Sequence, residues 1–190
     1  MAPQLSEDEV DDLIYLARTG DNDELKSLLL TIVEREKILP AEVLIAAKDE
    51  GKSTCLHMAA ANGHLDTVTL LLSHFASRPK EEKQAYLDAP NEYGNAGLHW
   101  ASMSGHLPIV KVLVEEGASV ALPNDKNYIP LDLASFNEKF DVVDYFLKKS
   151  GDLEQENGED GLNGAVANVE IEDEDDSAGS SKPTEGSSSS

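Results

Sequence analysis

Nucleotide chemistry would be sought first at Ala46-Ala47-Lys48-Asp49-Glu50-Gly51-Lys52-Ser53, which satisfies a relaxed phosphate-loop pattern with alanine at the first glycine. A working phosphate loop follows a strand, opens a helix and turns free amides toward the phosphates. Here the preceding residues pattern as helix, and Asp49 and Glu50 would set two carboxylates against the phosphates. No acidic strand end for magnesium is visible. The stretch reads instead as a turn leading into Thr54. Metal or proton chemistry would fall to the five histidines, His57, His64, His74, His99 and His106. Four of them sit at matching points of repeated segments with structural jobs, so no metal site is expected. Cys55, the one cysteine, stands at a helix start, a location that can lower a thiol's pKa. His57 is committed to capping that same helix and leaves the thiol no base. The expectation is therefore no catalytic residue, no metal and no cofactor: not an enzyme.

The elements that hold these histidines repeat along the chain. Thr54-Cys55-Leu56-His57-Met58-Ala59-Ala60-Ala61-Asn62-Gly63-His64 aligns with Ala96-Gly97-Leu98-His99-Trp100-Ala101-Ser102-Met103-Ser104-Gly105-His106, 42 residues on. Ile129-Pro130-Leu131-Asp132-Leu133-Ala134-Ser135-Phe136-Asn137-Glu138 follows 33 residues later. The pattern T-P-L-H-x-A-A-x-x-G-H and the period of 33 are the ankyrin signature. Each segment is followed by apolar residues at i, i+3, i+4, such as Val68, Leu71 and Leu72, one face of a second helix. Ala17-Arg18-Thr19-Gly20 followed by Leu25, Leu28 and Leu29 extends the frame backwards. Its first helix is expected to start at Ser6, with Glu9 completing a capping box. Two intervals exceed the period, and the extra residues Ile38–Ala47 and Ala76–Leu87 read as lengthened or additional helices. The expected fold is all-α: an ankyrin-repeat solenoid of about four helix-turn-helix repeats with two long insertions over residues 1–150. Residues 151–190 read as a disordered acidic Ser/Gly-rich tail, too poor in apolar surface to offset the entropy of ordering.

Within the repeats, Thr54 is placed to cap a helix and His57 to bond back to its hydroxyl. Ala96 denies His99 that partner, so the third repeat's finger is expected to be looser by about 1 kcal/mol. Gly63 and Gly105 should end first helices in the left-handed conformation. The variable signature positions point to a concave face: Met58, Ala61, Asn62, Trp100, Met103, Ser104, Leu133, Phe136 and Asn137. Trp100, the single tryptophan, has the character of an interface hot spot, against packing between fingers as the plain alternative. Finger residues Asp49, Glu50, Asp88, Asn91, Glu92, Tyr93 and Asp125 would edge that strip with carboxylates. Such a surface suits a basic amphipathic helix; a solvated acidic rim is the competing reading.

The net charge is −22. Residues 1–150 carry 14 basic and 25 acidic side chains, residues 151–190 one basic and 12 acidic, so the tail holds half of the excess. Such a field repels nucleic acid and anionic lipid and attracts basic proteins; solubility alone is the other role open to it. No stretch approaches the roughly 18 apolar residues of a membrane span. The N-terminal residues lack the basic and apolar regions of a signal peptide, and a lone cysteine fits a reducing compartment. In the tail, Val166-Ala167-Asn168-Val169-Glu170-Ile171 before the acidic run resembles a SUMO-interacting motif, with a chance apolar cluster the preferred reading.

Leu56 to His64, Gly94 to Ser102 and Tyr145-Phe146-Leu147-Lys148-Lys149 resemble the fungal ankyrin-repeat chaperones dedicated to small-subunit ribosomal protein three. The similarity runs from about residue 10 to 150, with both insertions in order; the tail matches in character. Ala96, where threonine is expected, and Gly97 depart from the pattern. The resemblance implies a protein that binds the newly made basic ribosomal protein, keeps it soluble and accompanies it from cytoplasm to nucleus for subunit assembly. A monomer is expected, binding neither nucleic acid nor membrane. A generic ankyrin adaptor in signalling or transcription is the alternative.

Overall fold

Each first helix begins where a side chain three residues in can reach back to the backbone of the residue before the helix. Ser6 N–H donates to Glu9 Oε2 at 3.0 Å, Thr54 N–H to His57 Nδ1 at 3.0 Å, Ala96 N–H to His99 Nδ1 at 3.1 Å and Ile129 N–H to Asp132 Oδ2 at 2.9 Å. These contacts satisfy donors that a helix start would otherwise strand. They open α1 (Glu7–Thr19), α4 (Cys55–Asn62), α7 (Gly97–Ser104) and α9 (Pro130–Phe136) in a computed structural model that describes residues 3–161. The partner helices are α2 (Asn22–Glu36), α5 (Leu65–Ser73), α8 (Leu107–Glu115) and α10 (Phe140–Gly161). No strand occurs among the described residues, and none of their helices is long and apolar enough to cross a membrane.

The first helices stack in the order α1, α4, α7, α9, while α2, α5 and α8 form a second layer behind them. Their apolar faces merge into one core through Leu13, Leu25, Leu56, Leu71, Leu98 and Leu113, joined by Val142 and Phe146 of α10. Ala59, Ala60 and Ala101 are fully buried, which lets the layers approach closely. Gly63 ends α4 at φ 81°; a Cβ there would lie 2.8 Å from the His106 ring, which covers it. From that position His106 Nε2 donates to the Ala61 carbonyl at 3.2 Å, and His64 donates likewise to Arg18 at 2.8 Å. Each such histidine ties a second helix to the repeat before it.

The two insertions are short additional helices, α3 (Pro40–Ala46) and α6 (Lys80–Leu87), and α2 is itself lengthened to 15 residues. Tyr86 of α6 stacks on Phe75 with ring centroids 4.5 Å apart, so the second insertion is anchored in the core. Arg78 pairs with Glu82 at 2.8 Å and reaches Glu42 of α3 at 3.8 Å, linking the insertions. At the N-terminus Arg35 of α2 donates to the Gln4 carbonyl at 3.0 Å and to Glu9 at 3.1 Å. That guanidinium holds the Glu9 carboxyl well below the usual range, at about 2. The contacts of the stack close within Met1–Ser150, and residues from Gly151 belong to a separate unit. Helix α10 carries on past the boundary expected at 150 to Gly161. The rest of the expected tail, with the Val166–Ile171 cluster and the acidic run, lies outside the described residues.

Candidate protein-binding surface

The loops before α4, α7 and α9 are hairpin fingers, and each is shaped by one short polar side chain. Asn91 Oδ1 accepts from the amides of Tyr93 and Asn95, both at 3.0 Å. Asn124 Oδ1 does the same for Lys126 and Tyr128, both at 3.0 Å. Asp49 accepts from Ser53 at 2.7 Å. The phosphate-loop look-alike is thus the second repeat's finger: helix α3 precedes it, and its Asp49 is spent on its own turn. Fingers bond to one another through their backbones, Glu92 N–H to Gly51 carbonyl at 2.7 Å and Asp125 N–H to Tyr93 carbonyl at 3.2 Å. Asn124 Nδ2 adds a side-chain rung to Asn95 Oδ1 at 2.8 Å. At Gly94 (φ 74°) any Cβ would sit 2.6 Å from the Asp125 amide, so glycine is what permits that approach.

The buried histidines complete the frame. A backbone amide can only donate, so Nδ1 of His57 must accept from Thr54 N–H, and the ring proton is on Nε2. From there it donates to the Asn95 carbonyl of the next finger at 2.9 Å. His99 repeats the arrangement toward the Tyr128 carbonyl at 3.3 Å. Burial pushes both rings below the usual histidine pKa, which keeps them neutral. The fourth repeat has Asp132 at this position. No further finger follows among the described residues, so an acceptor-only carboxylate caps that helix as well as a histidine would. Cys55 is fully buried, its thiol is pushed up to about 12 by burial, and it lies 3.6 Å from the Leu13 carbonyl. That is a packed side chain and not a nucleophile.

On this frame the variable positions form three rows. Counted back from the residue that ends each first helix, Tyr15, Met58, Trp100 and Leu133 share one register position. Arg18, Ala61, Met103 and Phe136 share another, and Thr19, Asn62, Ser104 and Asn137 a third. Tyr15 and Phe136 are more than half exposed. Met58, Trp100, Met103, Ser104 and Leu133 are half-buried, and Asn62 is exposed. Phe136 meets Tyr128 edge to face at 5.0 Å. Between the third and fourth fingers lies a cleft of about 270 Å³ walled by Tyr93, Trp100, Met103, Tyr128 and Leu133, with Asp125 on its rim. Among the described residues the indole N–H of Trp100 has no partner. Each finger tip adds one exposed carboxylate, Glu50, Glu92 and Asp125, and Tyr93 stands beside Glu92 more than half exposed.

Two of the expected rim carboxylates have other employment, as has Asn91, which is buried in the turn it shapes. Asp88 Oδ1 accepts from the Ser119 amide at 2.9 Å and Oδ2 from its hydroxyl and from Gln84 at 2.6 Å, so it staples the end of α6 to the turn after α8. Asp49 is half-buried in its turn. Neither is a free rim charge. Tyr15, in contrast, escaped sequence reasoning, although its place five residues before Gly20 matches Met58, Trp100 and Leu133 relative to their own helix ends.

The chain matches the family of ankyrin repeats in three copies over residues 13–124 and 83–157. It is 39 % identical over 158 residues to the ankyrin repeat-containing protein YAR1 of Saccharomyces cerevisiae, covering 82 % of this chain and 76 % of that protein. Its fold matches a chain in the crystal structure of the yeast ribosomal protein Rps3 in complex with its chaperone Yar1. The TM-score is 0.70 and the identity 37 %, over 77 % of this chain and 95 % of that one.

Proposed function

Because the chain belongs to the ankyrin-repeat proteins, and with yeast Yar1 to one family among them, we propose that it is a dedicated chaperone of ribosomal protein Rps3. It binds the newly made protein, shields its basic surface, and hands it on to small-subunit assembly. The observation that carries this reading is the apolar row Tyr15, Met58, Trp100 and Leu133, edged by Glu50, Glu92 and Asp125. Aromatic side chains fixed on packed helices lose little freedom when a client covers them. The carboxylates meet the client's cations and steer the encounter, which makes association fast and sensitive to salt. A chain of net charge −22 also keeps a cationic client from precipitating on other polyanions. The protein works by surface complementarity without catalysis, as a monomer, in the cytoplasm and the nucleus.

Co-purification from cells followed by mass spectrometry tests the reading, with Rps3 expected as the main stoichiometric partner. Purified Rps3 should stay soluble at low salt only when the chaperone is present, and affinity should fall as salt rises past about 0.15 M. Recovery of no Rps3, or purified components that do not associate, would remove the proposal.

A further inference from the structure

The backbone ladder that joins the fingers is open at one end. Glu92 N–H and Asp125 N–H each donate to the preceding finger. Glu50 holds the same position in the second repeat's finger, and among the described residues its amide has no partner. Among the described residues the first repeat supplies no finger to meet it. Instead α1 has 13 residues where α4 and α7 have 8. Its extra turns face the Glu50 finger across a groove of about 610 Å³, floored by Leu5 and Val10 and edged by Glu7, Asp11 and Glu50, with Lys48 the one cation among the described residues that line it. The far wall is rigid, because Arg35 clamps Glu9 and Gln4 to α2.

We propose that this groove docks an extended, lysine- or arginine-bearing segment of the client in the place of the missing finger. The proposal rests on the chaperone reading and adds a second contact to the apolar row. A backbone carbonyl of the segment accepts from Glu50 N–H, continuing the ladder as an added strand continues a sheet edge. The stem of its basic side chain covers Leu5 and Val10 while the head lies among Glu7, Asp11 and Glu50. Charge selects this occupant. Residues 151–190 of the chain itself carry 12 acidic side chains and one basic, and a second copy carries −22, so the groove repels both.

Amide hydrogen exchange at Glu50, measured by NMR on the full chain alone and saturated with purified Rps3, tests the contact. Exchange is expected to slow at least tenfold in the complex. The double variant Glu7→Gln, Asp11→Asn should bind Rps3 about tenfold more weakly at low salt. The control Glu34→Gln, Asp66→Asn, which removes the same charge from the outer helices, should change binding less than about threefold. A formed complex in which Glu50 exchanges as fast as in the free chain overturns the groove and leaves the chaperone reading standing. Absence of any complex overturns both. Protection already present in the free chain assigns the groove to the tail or, where it varies with concentration, to a second copy, and also overturns the proposal.

Discussion

The second and third repeats share one frame and invest in it differently. In the second, His57 takes both the Thr54 amide and, at 2.9 Å, the Thr54 hydroxyl, then reaches Asn95 at 2.9 Å. In the third, Ala96 offers only its amide, and the reach from His99 to Tyr128 is 3.3 Å. The variable position is Met58 in the second repeat and Trp100 in the third, where it walls the cleft with Tyr93 and Tyr128. The better-bonded repeat carries the plainer surface, and the repeat with the lighter cap carries the aromatic cleft proposed for recognition. Stability and binding are therefore separable by substitution, repeat by repeat.

The largest effect should come from His57→Ala. It strands the Thr54 amide and hydroxyl and the Asn95 carbonyl in a buried site and should cost about 3 kcal/mol. His99→Ala loses one contact fewer and should cost about 2 kcal/mol. Urea unfolding of the two variants measures the difference; equal losses would erase the contrast between the repeats. On the binding side the order reverses. Trp100→Ala should weaken Rps3 binding by about 2 kcal/mol and Met58→Ala by less than about 1 kcal/mol, as read by calorimetry. A Met58 effect as large as that of Trp100 would spread recognition evenly along the row.

Two caps were legible in the sequence because they are local: Ser6 with Glu9 and Thr54 with His57 are each three residues apart. The row at Met58, Trp100 and Leu133 was legible because helical register carries over from repeat to repeat. Tyr15 was missed because α1 starts early, which hides its register when the helix is counted from Ser6 instead of Gly20. Asp88 was misread for a different reason: its partner Ser119 is 31 residues away, and no local pattern announces such a staple. The open end of the finger ladder is likewise non-local, since it exists only by comparison with the rungs from Glu92 and Asp125.

Acid should sharpen the contrast at intermediate cost. The folded protein keeps His57 and His99 neutral, because burial lowers their pKa below the ordinary histidine value of 6.5. The unfolded chain takes up protons on them below that pH, so it binds more protons than the folded chain. The stability tied to each ring is therefore fully present above pH 6.5 and is lost as pH falls toward the ring's folded value. Thermal melts at pH 7.5 and 5.5 should show that loss, reduced in His57→Gln and again in His99→Gln. Falling pH also relieves the repulsion of a strongly acidic chain, so the difference between variant and parent isolates the histidine contribution.

The smallest expected effect is a repair. Ala96→Thr restores the residue that the second repeat carries at Thr54, at a backbone already extended (φ −90°, ψ 173°) as a capping residue requires. The new hydroxyl would donate to His99 Nδ1, which the Ala96 amide already occupies at 3.1 Å. Two donors sharing one acceptor gain less than two separate bonds, so the increase should be about 0.5 kcal/mol, below the usual worth of a hydrogen bond. Ala96 is only 1 % exposed, and the added atoms must find room beside Gly97, which itself packs against Leu56. A gain in the urea midpoint with unchanged Rps3 affinity would show that the missing hydroxyl is a defect in the frame alone. Lost affinity from a stabilised finger would tie the missing hydroxyl of the third repeat to the way the Trp100 cleft admits its client.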